Sequence, residues 1–155
     1  MIEIVTMQSL HIPQVAALEK LCFSDPWSET SVAGELNNPL SLWLVAVDAD
    51  CVAGYVGSQS VMGETDMMNI AVAPNYRRRG VAEALIAELV KQLRENGNYC
   101  LTLEVRASNH TAIMLYGSRG FRSVGRRKNY YEHPKEDAII MTREFTHAET
   151  ETADA

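Results

Sequence analysis

The sequence predicts one mixed α/β domain, and three observations carry that prediction. Seven short segments with strand-like patterning are interleaved with four helical ones along 155 residues, the usual size of a single domain. Hydrophobic residues make up 46% of the chain, enough to build a core without disulfides. One apolar strand runs through an Arg/Gly loop straight into the longest helix, as strands do in α/β units.

Residues 2–6 alternate weakly and read as a strand. In the helix that follows, Ser9 is the expected cap and Pro13 lies in the first turn. Val15, Leu18, Leu21 and Cys22 share a face. Asp25-Pro26-Trp27-Ser28 breaks that helix, and Ser28 caps a second short one ending near Asn37-Asn38-Pro39. Residues 41–47 and 51–59 read as two strands across the turn Asp48-Ala49-Asp50. Residues 67–72 are nearly all apolar and read as a strand buried on both faces. In the longest helix Val81, Ala84, Leu85, Leu89 and Leu93 form an apolar stripe, and Gly97 stops it. Residues 99–105 are the next strand. Asn109 opens a last helix closed at Gly120, and residues 121–124 and 138–141 read as two final strands. The domain is expected to span residues 1–146. Residues 147–155, small and acidic, read as a disordered tail.

The formal net charge of -6 argues against a nucleic-acid binder, which needs positive charge to displace counterions; it suits a basic peptide. Cys22, Cys51 and Cys100 show no CxxC or Cys/His spacing, so no metal site is expected. All three read as reduced, packed thiols of a cytoplasmic protein. The chain start lacks a basic stretch before an apolar run, and no stretch approaches the roughly 20 apolar residues of a membrane span. Neither a signal peptide nor a membrane is expected.

Arg77-Arg78-Arg79-Gly80-Val81-Ala82 places arginines and a glycine at a helix start. Unpaired backbone N–H groups and the positive end of the helix dipole there favour an anion such as a pyrophosphate. No Gly-Lys-Ser/Thr follows, and the three spaced glycines of a dinucleotide fingerprint are missing. By pattern alone a solvated basic helix start is an equal reading.

This run resembles the signature of the GCN5-related N-acetyltransferase family, with Arg77, Gly80 and Ala82 in the key places. The preceding Asn69-Ile70-Ala71-Val72-Ala73-Pro74 and the downstream pattern from Asn109 through Ala112, Leu115 and Tyr116 to Gly120-Phe121 resemble the same family. Over about residues 1–145 the likeness extends to its bacterial ribosomal-protein-alanine N-acetyltransferases. Asp25-Pro26-Trp27-Ser28, residues 103–109, Asn129-Tyr130-Tyr131 and residues 136–141 carry it. The resemblance implies a largely antiparallel sheet of about seven strands, splayed in the middle to admit acetyl-CoA. It implies cofactor contacts along Ile70, Ala71 and Val72 and along Arg77, Arg78, Arg79, Gly80, Val81 and Ala82.

Glu104 lies on the polar face of its strand with Thr102 and Arg106. Pattern alone suits a solvated face or a Glu104–Arg106 pair; the resemblance makes Glu104 the general base. Tyr116 suits core packing by pattern; the resemblance makes it the general acid beside the cofactor sulfur. Asn109 is an N-cap and, by resemblance, a contact to the pantetheine arm. Trp27 suits a hydrophobic staple, and Tyr130 and Tyr131 an aromatic loop. By resemblance all three line the acceptor-peptide groove. Glu136 and Asp137 either attract a basic peptide or cap the last strand. His133 is a loop residue.

The resemblance therefore implies acetylation of a protein N-terminal α-amine, with a small basic ribosomal protein as substrate. A lysine or small-amine acetyltransferase and a non-catalytic acetyl-CoA-binding module remain open. An RNA-binding module built on residues 77–79 and 126–128 is disfavoured by the charge.

Overall fold

The computed structural model describes residues 1–145, and the expected tail lies outside them. Its elements are β1 (Ile2–Thr6), α1 (Ile12–Cys22), α2 (Glu29–Glu35), β2 (Ser41–Asp48), β3 (Cys51–Val61), β4 (Glu64–Val72), α3 (Val81–Glu95), β5 (Cys100–Arg106), α4 (His110–Ser118), β6 (Arg122–Glu132) and β7 (Lys135–Glu144). The strands form one seven-stranded sheet in the order β1-β2-β3-β4-β5-β7-β6. Every neighbouring pair is antiparallel except β4–β5. No helix among the described residues is long and apolar enough to cross a membrane.

Side-chain alternation along the central strands divides the interior into two cores. Leu44 and Ala46 of β2 face one, with Leu85, Leu89 and Leu93 of α3. Trp43 and Val45 face the other, with Val15 and Leu18 of α1 and Val32 of α2. The Trp43 ring packs over Gly57 so closely that a Cβ there would come within 2.3 Å of it, so β3 needs a glycine at that point.

The β4–β5 seam positions the site. These two parallel strands pair only at Glu64–Cys100, Thr65–Leu101 and Asp66–Thr102 and then diverge. The expected splay is present. It also corrects the reading of residues 67–72 as buried on both faces. Only Ala71 of that run is buried; the others are half-exposed along the opening.

Ser28 accepts a hydrogen bond from Ser31 N–H, and Asn109 from Ala112 N–H, as caps should. Gly97, at φ +84°, ends α3. Ser9, in contrast, is no cap. It lies in a 3₁₀ turn preceding α1, whose own N-cap is His11. Leu21 is exposed at 65% and Glu19 is fully buried in its place. The stripe Ile12, Val15, Ala16, Glu19 follows the i, i+3, i+4, i+7 spacing, and the carboxylate lies on it. In α3, Ala84 is exposed and Ile86 and Val90 are buried. Cys51 is exposed rather than packed. β6 and β7 run far beyond the expected four-residue strands. β6 is an exposed edge carrying Arg122, Arg126, Arg127 and Lys128, charges that protect an edge but erase the apolar alternation by which a strand is read.

Candidate active site

Two concavities open on either side of the seam. The first, of about 510 Å³, is lined by Val72 and Tyr76 beyond β4, by Arg77, Arg78 and residues 80–83 at the start of α3, and by Thr111 and Leu115 of α4. Gly80 precedes the helix with φ +76°, a left-handed conformation that glycine adopts without strain. No side chain caps α3. Its first backbone N–H groups are therefore left for a ligand, with the dipole behind them, at a helix start whose residues line the groove. The mouth is cationic and the wall apolar, a combination that fits a pyrophosphate joined to an extended apolar-polar arm.

Of the expected cofactor contacts, Val72, Arg77, Arg78, Gly80, Val81 and Ala82 line this groove. Arg79 stacks on the Tyr76 ring at 5.0 Å. Ile70 packs against one core and Ala71 lies in the other, so any contact from them would come from the backbone. Asn109 caps α4, as stated above. Leu115 stands in the downstream pattern shared with the family, whereas Tyr76 and Thr111 had no signal in the sequence beyond their neighbours.

The second concavity, of about 740 Å³, lies on the opposite side. Cys22, Phe23, Ser24, Asp25 and Trp27 form one wall, Asn69 and Arg106 the floor, and Tyr130, Tyr131, His133 and Pro134 the other wall. Arg106 organises it. Its guanidinium donates to the carbonyls of Pro134 at 2.9 Å and His133 at 3.1 Å, and lies 3.3 Å from Glu136. It also sits 4.3 Å from the Tyr131 ring centre. The β6–β7 turn is further tied across the cleft. Ser24 donates to the His133 carbonyl at 2.5 Å, and His133 Nδ1 lies 3.1 Å from Asp25. His133, read as a plain loop residue, is a strut.

The acidic pair in β7 serves the hairpin. Glu136 accepts from Ser108 N–H at 2.6 Å besides its pairing with Arg106, and these bonds hold its carboxyl below the usual range. Asp137 accepts from Asn129 N–H at 2.9 Å and pairs with Arg126 at 2.8 Å, which lower its pKa likewise. Asn129 has φ +54°, and the register of β6 against β7 slips between Arg127 and Tyr131. Asp137 thus pins the bulge from which Tyr130 projects.

Glu104 faces this side of the sheet, paired with Arg127 at 3.3 Å and not with Arg106. The Tyr130 hydroxyl bonds to Glu104, and that bond, more than burial, raises its pKa. Tyr130 and Tyr131 meet edge to face at 5.1 Å. Tyr131 is pushed up to about 12, first by burial and then by Tyr130 and Glu104. Tyr116 is buried at the end of α4, edge-on to Phe121 at 5.7 Å. Burial, with a smaller push from Tyr131, raises it to about 12. Tyr131 lies within electrostatic reach of both Glu104 and Tyr116, although neither of these two residues lines either concavity. Trp27 packs edge to face on Trp43 at 5.4 Å. Among the described residues no group of three or more His, Cys, Asp and Glu side chains could hold a metal.

Glu19 has no counterpart in the sequence reading. Its carboxylate accepts from the Trp27 backbone N–H at 2.9 Å, from the Tyr55 hydroxyl, and from Asn69 Nδ2 at 2.8 and 3.1 Å. Burial and this contact push the Tyr55 hydroxyl far up.

Residues 12–121 match the profile of the acetyltransferase (GNAT) family. The chain is 38% identical over 138 residues to the [ribosomal protein bS18]-alanine N-acetyltransferase of Salmonella typhimurium, covering 87% of this chain and 92% of that protein. It is 36% identical to the enzyme of the same name from Escherichia coli K12, covering 88% and 93%. The crystal structure of the ribosomal-protein-S18-alanine N-acetyltransferase from Escherichia coli superposes with a TM-score of 0.86, covering 93% of this chain and 94% of that one. Arabidopsis thaliana NAA60, solved with acetyl-CoA, shares the fold at TM-score 0.84 and 20% identity.

Proposed function

The chain belongs to the acetyltransferase (GNAT) family, and from that premise we propose that it moves the acetyl group of acetyl-CoA onto the N-terminal α-amine of a protein. The expected substrate is the N-terminal alanine of a small-subunit ribosomal protein, in the cytoplasm. The observation that carries this reading is the pair of concavities meeting at one seam, one backbone-lined and cationic, the other walled by aromatic side chains. The named activity of relatives at 36–38% identity supports the substrate class.

Acetyl-CoA brings an activated thioester; the chain must bind it, orient the amine and move two protons. Val72 and the backbone from Arg78 to Ala82 hold the cofactor, with Arg77 and Arg79 adding charge and Asn109 flanking the arm. An α-amine titrates near 7.7–8.0 and a lysine near 10.4, so freeing the α-amine at neutral pH costs about 3.4 kcal/mol less. A carboxylate suffices as base, and Glu104 takes that part. Tyr116 donates its proton to the departing sulfur. Its hydroxyl, raised to about 12, stays protonated at working pH. Trp27, Tyr130 and Tyr131 enclose the first residue, which suits a small side chain.

Asp137 and Glu136 are occupied inside the hairpin, so their contribution to peptide recognition is to shape that wall. A net charge of -6 still favours basic residues further along the peptide.

The test uses two basic peptides of one sequence, each starting with alanine and carrying an internal lysine. One has a free N-terminus and the other a blocked one. Mass spectrometry should find acetylation on the free peptide alone, at its α-amine. Efficient modification of lysine in the blocked peptide would transfer the reading to a lysine acetyltransferase.

A further inference from the structure

The lining of the acceptor pocket includes a polar atom that no described residue hydrogen-bonds. Asn69 lies on β4 beside the seam and on the pocket floor. Its amide is oriented by Glu19. Both carboxylate oxygens of Glu19 face Asn69 at 2.8 and 3.1 Å. A carboxylate offers only acceptors, so the atom turned toward it is the NH₂ group. The carbonyl oxygen, Oδ1, is then directed elsewhere, and it receives no hydrogen bond from any described residue.

The pocket's other carboxylate, Asp25, is engaged by His133. The carbonyls of His133 and Pro134 are taken by Arg106 and Ser24. The base Glu104 carries Arg127 and Tyr130. An amine entering this space needs an acceptor for an N–H that the base does not take, because an unpaired N–H in an enclosed site costs about as much as a lost hydrogen bond. Asn69 Oδ1, which shares this lining with Tyr131 and its hydroxyl, is an acceptor already held in place by Glu19.

We propose that Asn69 Oδ1 accepts an N–H of the acceptor α-amine and turns its lone pair toward the thioester, and that Glu19, fully buried behind it, is the positioning residue that fixes this amide. The inference rests on the acceptor reading above. Glu19 also holds the Trp27 backbone, so one carboxylate sets both the floor and one wall.

The experiment is a double-mutant cycle of Glu19→Gln and Asn69→Ala, reading kcat and KM for an alanine-initiated peptide, with the thermal shift on CoA measured for each variant. Asn69→Ala should lower kcat/KM by roughly 10-fold and keep the CoA shift. Glu19→Gln presents a donor as well as an acceptor, so it releases the amide and lowers kcat/KM too. The double variant should be no worse than the more damaged single variant within about twofold, because both lesions remove the same contact. Losses that multiply would make Glu19 merely structural and overturn its positioning role.

A second reading uses a peptide whose first residue is N-methylated, which lacks one N–H. Wild type should prefer the primary amine, and Asn69→Ala should narrow that preference at least threefold. An unchanged preference overturns the contact, as does a wild-type rate in Asn69→Ala. If Glu19→Gln fails to fold, the Asn69→Ala rate and the N-methyl comparison decide alone. If wild type itself acetylates no peptide α-amine, the acceptor reading falls and takes this inference with it. If wild type acetylates and Asn69→Ala is indifferent, only the inference falls.

Discussion

The two concavities differ in what builds them. The cofactor groove comes mainly from one continuous stretch, residues 72–83, and its polar contacts are backbone N–H groups at a helix start. The acceptor pocket draws on the α1–α2 connection, β4, β5 and the β6–β7 hairpin, and side-chain bonds hold these pieces together. A backbone-built site tolerates changes of side chain but not of local conformation. A side-chain-built site can lose its shape through one residue that never meets the substrate.

Four perturbations would break or sharpen that contrast. The largest effect belongs to Glu104→Gln, which should lower kcat by roughly 10²–10⁴-fold while the thermal shift on CoA persists. A wild-type rate would remove Glu104 from its proposed role. Next is Gly80→Glu. At a concentration 100 times its dissociation constant, CoA should stabilise wild type by about 2.7 kcal/mol. The variant, strained at φ +76° and negative where the anion sits, should show no shift. A retained shift would move the cofactor elsewhere.

Arg106→Ala should raise the peptide KM by roughly 10-fold, the worth of a charge-assisted hydrogen bond of about 1.5 kcal/mol or more, with CoA affinity unchanged. Equal damage to both ligands would mean that the two sites are not separately built. The smallest effect is in the pH profile. With Tyr116 raised to about 12, kcat/KM should rise as the α-amine loses its proton near 7.7–8.0 and show no falling limb between pH 8 and 11. Tyr116→Phe should lower the plateau and leave the rising limb in place. Because folding raises this pKa, the fold holds the proton more tightly than the unfolded chain. The stabilisation is complete below about pH 10 and lost as pH rises toward 12. A fall in rate at pH 9 would show that the acid is another group.

The same contrast explains what could be read from the sequence. The order of elements, the seven strand segments and the Arg/Gly helix start were legible because each is a local pattern; their joining into one splayed sheet was implied by the family resemblance. Gly80 and Ala82 stand in a run that names its own conformation. Glu19 was not legible as a buried group, since a glutamate on a helix is ordinarily solvated. Its place in the Ile12, Val15, Ala16 stripe was the signal available. Arg106 and His133 were missed as struts because their hydrogen-bond partners are 27 to 109 residues away in sequence. The length of β6 was missed because it is an exposed edge whose charges erase the apolar alternation; β7 is paired on both sides, but its charged ends, Lys135-Glu136-Asp137 and Thr142-Arg143-Glu144, hide all but its apolar middle.

The short parallel join of β4 to β5 has a consequence for order of events. Three paired positions make a clothes-peg pivot between the β1–β4 and β5–β7 halves, and each concavity has one jaw from either half. A ligand that shifted one half about that pivot would change the gap on both sides, and any linkage between the two ligands would be equal in both directions. The peptide's affinity should change between empty and CoA-filled enzyme by the factor by which the peptide changes that of CoA.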